Sequence, residues 1–308
     1  MSKKLNKLEQ FSFWQITWRR FKRHKLAIAG LVMVLAMISF SFIGPLFWKV
    51  SPSYIPLNPS TFLSPGSPGH PLGTDSLGRD ILARLMFGGK VSIFVGFLST
   101  AISIILGVAI GLAAGYYGKI IDSLLMRFTD VFLTIPTLPL LMSLAIIFRR
   151  ITPVLETTYK LGIFAGILPI VVVMAFLGWM ITARLVRGQV LSLREQQFIE
   201  ASKAIGARDS KVMWGHLLPN VMAPIIVSAT LSVGGNMVWE ASLSFLGLGV
   251  SPPATSWGQM LQGATVWALL PSYWYLILLP GFALFFTVLS FNFVGDGLRD
   301  ALDPRLKV

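Results

Sequence analysis

Residues 26–48 read LAIAGLVMVLAMISFSFIGPLFW, twenty-three residues without a charge, immediately after a leader carrying Arg19, Arg20, Lys22, Arg23 and Lys25. A helix that crosses the hydrocarbon core needs about 20 apolar residues, so this stretch predicts a membrane span. It is too long for a signal-peptide core and no A-x-A-like site closes it, so we expect it to be retained rather than cleaved. Five further apolar stretches follow at 91–117, 124–148, 161–183, 221–248 and 269–294. The third contains Arg127, Asp130, Pro136 and Pro139, and the fifth contains Gly234, Gly235, Asn236 and Glu240. The expected fold class is an all-α polytopic membrane protein with six transmembrane helices.

Composition agrees. Of the 308 residues 54% are apolar and 13% charged, where a soluble domain carries about 25% charged residues, and the mean hydropathy is +0.71. The 26 Lys and Arg against 13 Asp and Glu, a net charge of +13, need an explanation. With a cytoplasmic N-terminus, seven basic residues (Lys49, Arg79, Arg84, Lys90, Arg149, Arg150, Lys160) fall in outer segments and the other nineteen in inner ones. That asymmetry follows the positive-inside rule and places both termini in the cytoplasm. Topology then accounts for the basic excess, and nucleic acid is not an expected partner. The chain has no cysteine, and its three histidines, His24, His70 and His216, are scattered, which argues against a metal centre.

The expected organisation is a basic cytoplasmic N-terminus (1–25), a first span (26–48), an extracytoplasmic segment (49–90), a five-helix core (91–295) with a cytoplasmic loop at 184–220, and a cytoplasmic tail (296–308). Prolines 52, 56, 59, 65, 68 and 71 make the outer segment irregular up to about Leu72. Beyond it, the spacing of Asp75, Arg79 and Asp80 predicts an ordered stretch, with a helix over 77–86, an Arg79 contact to Asp75 or Asp80, and Ile81, Leu82 and Leu85 turned to lipid or protein as the helix lies flat on the outer interface. In the second span Ser99, Ser103, Gly107, Gly111 and Gly115 recur every four residues. This ridge of small side chains allows another helix close approach, either within the subunit or on a second membrane chain. Pro136 and Pro139 predict a bent third span, lining a pore or accommodating shape. Arg127 and Asp130 sit three apart, as in a local ion pair. Glu240 falls about 28 Å along the fifth helix at 1.5 Å per residue, near its outer end, where a structural hydrogen bond or an outer gate is expected rather than a proton relay.

The long inner connection contains REQQFIEASKAIGARDSKVMWGHLLPN over 194–220. Phe198, Ala201, Ser202 and Ile205 share one helical face, with Glu200 and Lys203 opposite. Gly206 stops that helix, Asp209 is placed to cap a second one, and Pro219 begins the return to the membrane. Two short helices bearing small residues, Ala201, Ser202 and Ala204, suit a groove on another protein, and a solvated loop is the alternative.

Glu200-Ala201-Ser202, then Gly206, then His216-Leu217-Leu218-Pro219 resembles the EAA loop of ABC importer permeases. Ser202 replaces the third small residue at similar size, and His216 stands where many families have isoleucine, as in peptide-type permeases. Gly73-Thr74-Asp75-Ser76-Leu77-Gly78-Arg79-Asp80 and the segment EASLSFLGLGVSPPATSW over 240–257 are similar to the corresponding stretches of the C-type permease subunit of dipeptide and oligopeptide importers. The resemblance implies a type I ABC importer permease fold. It also implies a second homologous permease subunit, two ATPase subunits that bind ATP and Mg²⁺, and an extracytoplasmic binding protein delivering peptide. Contact with the ATPases would run through Phe198, Glu200, Ala201, Ser202, Ala204, Ile205, Gly206, His216, Leu218 and Pro219. No cofactor is expected in the chain itself, because nothing matches G-x-x-x-x-G-K-[ST]. A self-sufficient transporter would call for paired midplane charges or an inverted repeat. A membrane enzyme would call for a nucleophile and base within the spans, and neither set is apparent. Nickel chelates, glutathione and oligosaccharides remain alternative cargoes.

Overall fold

The computed structural model describes residues 13–56, 61–267 and 270–303. Pro59, the start of the sixth apolar stretch at Leu269 and the tail beyond Asp303 lie outside the described residues. Among the described residues there are helices and no β-strand. A basic helix α1 (Phe13–Arg23) precedes α2 (Lys25–Phe42), separated from it by His24, whose Nδ1 accepts the Ala27 amide as a helix cap. A single turn, α3 (Gly44–Phe47), completes the first span. The second span, α4 (Ile81–Tyr117), has 37 residues and starts ten residues before the apolar run. Asp80 decides its start by accepting the Ala83 amide at 2.7 Å. The flat helix expected over 77–86 therefore does not exist, since its second half is the first turns of α4, with Ile81 and Leu85 buried in protein rather than facing lipid.

The third span is broken rather than bent. Helices α5 (Lys119–Thr134) and α6 (Thr137–Arg149) meet at 91°. Pro136 occupies the break, because it has no amide hydrogen to continue α5 and disfavours a helical residue before it; Pro139 is accommodated in the first turn of α6. A short helix α7 (Thr152–Thr157) leads to α8 (Leu168–Leu193), which runs ten residues past the expected end of the fourth span. The polar connection thus begins at 194, not 184. Within it lie α9 (Gln197–Ala204) and a turn α10 (Asp209–Lys211), which passes through a π-helical turn (Val212–Leu217) directly into α11 (Leu218–Phe245). A short α12 (Trp257–Ala264) and the last span α13 (Trp274–Leu302) follow.

The small-residue ridge explains how these spans assemble. A Cβ on Gly107 would meet Thr182 Cβ at 2.6 Å, one on Gly111 the Ala183 carbonyl at 2.6 Å, and one on Gly115 Val190 Cβ at 2.7 Å. Ser103 Oγ donates to the Ala175 carbonyl at 3.2 Å. The ridge is therefore the contact between α4 and α8 within the subunit, not a face left for another chain. Partners rise together along both helices, from 103 with 175 to 115 with 190, so α4 and α8 run parallel. The chain between them must recross the bilayer, and the broken pair α5–α6 makes that crossing. Six crossings result. They put α1, the 194–217 connection and the end of α13 on one side and the 61–80 segment on the other.

Candidate functional site

The helix α9 is amphipathic, but its inner face is not the expected one. Ile199 and Ser202 are buried, with Val190, Val212, Leu217 and Val221 forming an apolar cluster around Ile199. Ser202, expected beside Phe198, Ala201 and Ile205 on the docking face, belongs to this inner face instead. Phe198, Glu200, Ala201, Lys203, Ala204 and Ile205 are outside, Ile205 at 86% exposure. The helix ends in a Schellman motif: the Ala207 amide donates to the Ser202 carbonyl at 3.1 Å and the Gly206 amide to Lys203 at 2.9 Å. Gly206 has φ +78° with open space where a Cβ would be. Beyond it His216 and Leu218 are half-buried and Pro219 exposed, while Leu217 is the buried residue.

Asp209 does not cap a second helix. Its carboxylate accepts the Tyr116 hydroxyl at 2.7 Å, and Lys203 Nζ lies 4.8 Å from the centre of the same ring. The last turn of α4 is thus tied to both parts of the connection. Two further ties hold α5 to α8: Arg187 Nη2 donates to Asp122 at 2.7 Å, and Arg184 pairs with Asp130. The local Arg127–Asp130 pair expected from spacing is replaced by this interhelical one, since the extended α8 brings a second arginine within reach.

On the opposite side the motif 73–80 is a clasp. Gly73 has φ +82°, and a Cβ there would collide with the Leu63 carbonyl; the close approach lets the Thr74 amide donate to the Leu63 carbonyl at 3.1 Å and the Leu63 amide donate to Thr74 Oγ1 at 2.9 Å. Asp75 accepts from the Leu77 and Arg79 amides, from Arg79 Nε at 2.7 Å and from Arg84 Nη1 at 2.8 Å. Gly78 closes the turn, donating to the Asp75 carbonyl at 3.0 Å. Asp80 accepts Trp48 Nε1 at 3.0 Å as well as capping α4, and His70 Nδ1 lies 2.8 Å from its other oxygen. Tyr275 reaches across from α13 to the Thr74 carbonyl at 3.0 Å. Spacing left Arg79 a contact with Asp75 or with Asp80, and it is Asp75 that it meets. Arg84, His70, Trp48 and Tyr275 gave no local signal.

Glu240 is fully enclosed and makes structural hydrogen bonds, one of its two expected roles. Ser92 Oγ of α4 donates to its Oε2 at 3.0 Å and Ser244 Oγ to its Oε1 at 2.6 Å, while the Trp257 amide donates to Ser92 Oγ at 3.2 Å. The carboxylate joins α4, α11 and the start of α12. Below it a cleft of 320 Å³ lies between α4, the broken span, α8 and α11. Its walls include Phe132, Met174 and Trp239 with Thr137, Ser232 and Asn236, and Asn236 Nδ2 donates to Thr100 at 2.8 Å.

Residues 107–308 match the binding-protein-dependent transport system inner membrane component family, and residues 12–65 match the N-terminal transmembrane domain of oligopeptide transport permease C. The chain belongs to the first of these families and is a membrane-spanning permease component of ABC transport. It is 40% identical over 294 residues to the dipeptide transport system permease protein DppC of Alkalihalophilus pseudofirmus, covering 96% of this chain and 90% of that protein. Similarity to the oligopeptide transport system permease protein OppC of Bacillus subtilis is 36% over 299 residues, 97% and 92% of the two chains. The fold is also that of a chain of the MetNI methionine ABC transporter in an inward-facing conformation, with TM-score 0.52 and 21% identity over 71% of this chain and 96% of that one.

Proposed function

We propose that the chain forms half of the translocation path of an ATP-driven importer for dipeptides or oligopeptides, beside a second, homologous permease subunit. The observation that carries this reading is similarity over nearly the full length to permeases named for dipeptide and oligopeptide transport. An extracytoplasmic binding protein delivers the peptide, and two ATPase subunits bind ATP and Mg²⁺ on the cytoplasmic side, where both termini of this chain lie. The chain itself catalyses nothing. Energy enters by contact at the outer face of α9, where Phe198, Ala201, Ala204 and Ile205 offer apolar and small groups to a groove and Glu200 a charge at its edge. Because α10 continues through the π turn into α11, a push on the connection tilts a 37-residue helical rod, Asp209–Phe245, and with it the wall of the cleft that holds Ser232, Asn236 and Trp239. Such rigid-body tilting is how packed helices convert a local contact into alternating access. The cleft suits peptide, since apolar side chains fit Phe132 and Met174 while Thr137, Ser232 and Asn236 offer hydrogen bonds to backbone amides.

The test is reconstitution with candidate ATPase and binding-protein subunits from the same organism, with the native ligand of the binding protein identified by mass spectrometry. ATP-dependent uptake of a labelled tripeptide is expected. A nickel chelate, glutathione or an oligosaccharide found instead would redirect the cargo within the same transporter class. Uptake that needs an ion gradient and no ATPase would overturn the reading.

A further inference from the structure

The helix α1 has no part in the path or in the coupling contact, yet it is tightly placed. Phe21 is 3% exposed and Thr17 is buried. Phe21 packs with Ala27 and Ala301, and Gly297 leaves room for its ring, as a Cβ there would sit 3.2 Å from Phe21 Cε2. Arg20 Nη1 donates to the Asp303 carbonyl at 2.8 Å, and His24 Nε2 lies 3.6 Å from Asp300. These contacts set the height of α1. The last apolar stretch, Pro271–Leu302, has 32 residues, about 48 Å of helix, and the hydrocarbon core is about 30 Å. The end bearing Asp296, Arg299 and Asp300 therefore projects beyond the core, and α1 lies against it at headgroup level.

Its remaining surface has two rows. At about 100° per residue, Trp14 and Trp18 fall beside the packed edge, and Arg19 and Arg23 fall about 140° further round, with Lys22 between them. Trp14, Trp18, Arg19, Lys22 and Arg23 are all exposed, and Lys22 Nζ lies 5.0 Å over the Trp18 ring. No acidic residue occurs between Phe13 and Lys25. Of the acids on the neighbouring end of α13, Asp300 lies 3.6 Å from His24 Nε2. Tryptophan at the bilayer flank with arginine and lysine beyond it is the arrangement of a helix lying in the interface, and a row of basic side chains there attracts anionic headgroups.

We propose that α1 is an interfacial helix that binds the headgroups of anionic phospholipid on the side of the membrane that carries the 194–217 connection. Lipid, rather than protein, is the occupant because the exposed charge is of one sign and the aromatic row borders the bundle at the level of the membrane surface. The site is independent of the cargo and of the coupling reading, so its test does not use transport.

The assembled transporter is purified in an equimolar mixture of phosphatidylglycerol and phosphatidylcholine, and retained lipids are counted by mass spectrometry. Enrichment of phosphatidylglycerol is expected for the natural chain, and the triple variant Arg19→Gln, Lys22→Gln, Arg23→Gln should lose at least half of it. The charge-keeping variant Arg19→Lys, Lys22→Arg, Arg23→Lys should retain it. In bilayers containing brominated phosphatidylglycerol, Trp14→Phe with Trp18→Phe should remove part of the quenched tryptophan emission. Equal retention in all three chains overturns the proposal, as does loss of enrichment in the charge-keeping variant. Unchanged lipid retention with failure to assemble in the triple variant assigns the face to a protein partner and overturns it as well.

Discussion

Asp75 shows how one side chain can hold a whole segment. It accepts two backbone amides and two guanidinium groups, and among the described residues it is the one acid paired with Arg84. Removing one partner of a buried pair strands the other charge, which costs about 3–5 kcal/mol, so Asp75→Asn should lower the thermal unfolding midpoint of the purified subunit by several degrees or prevent its folding. If stranding is the cause, adding Arg84→Met to Asp75→Asn should recover most of that loss; no recovery would show that the two backbone amides matter more. Tyr116 and Asp209 make the corresponding pair on the other side of the membrane. A hydroxyl bonded to a carboxylate contributes about 1.5–3 kcal/mol. Tyr116→Phe and Asp209→Asn should each reduce peptide taken up per ATP hydrolysed, and the double variant should be no worse than the poorer single one. Additive losses would mean that the two side chains act separately. The first pair was half legible, because Asp75 and Arg79 are four residues apart; Tyr116 and Asp209 are 93 apart, and no local pattern joins them.

Between helices, close approach is the controlling variable. Any side chain at Gly111 would have to displace the Ala183 carbonyl or Val186, so Gly111→Leu should separate α4 from α8 and abolish accumulation of folded subunit. Ser99→Ala should be mild, because Ser99 Oγ bonds only to carbonyls of its own helix. Western blots of membranes and size-exclusion profiles check both. At the coupling helix the logic inverts, since Gly206 sits in open space. Gly206→Ala carries only the strain of φ +78°, about 1–2 kcal/mol, whereas Gly206→Trp adds bulk where an ATPase would dock. Both should insert normally. Gly206→Ala should keep most uptake and Gly206→Trp should lose it, and equal uptake in the two would mean that no partner approaches this turn. The four-residue recurrence of small side chains was plain in the sequence, but the identity of the partner helix was not.

For the molecule as a whole, parallel packing of α4 on α8 requires an odd number of crossings between them, and that makes α5–α6 a single crossing despite its right-angled break. Alkaline phosphatase fused after Lys160 should be active and fused after Gly206 or Val308 inactive. Activity at Gly206 would reverse the side on which the 194–217 connection, α1 and the end of α13 lie together, and with it the assignment of α9 to the ATPases.

Apolar length and the distribution of Lys and Arg fixed the number of spans and their alternation, because the cost of placing charge in hydrocarbon is local and additive along the chain. The motifs over 73–80 and 194–220 were equally local, since turn glycines and caps act on their own neighbours. Span ends were misjudged by up to ten residues at α4 and α8, since a helix buried in protein continues past the bilayer wherever the subunit itself supplies partners, as Asp80 does for Ala83 and Asp122 for Arg187. Which face of α9 points inward depended on the cluster around Ile199 that α8 and α11 build. Glu240 looked peripheral by its position along its helix, and became central only when α4 brought Ser92 to it. Those outcomes belong to packing between segments distant in sequence, where the energy lies in contacts that no single stretch contains.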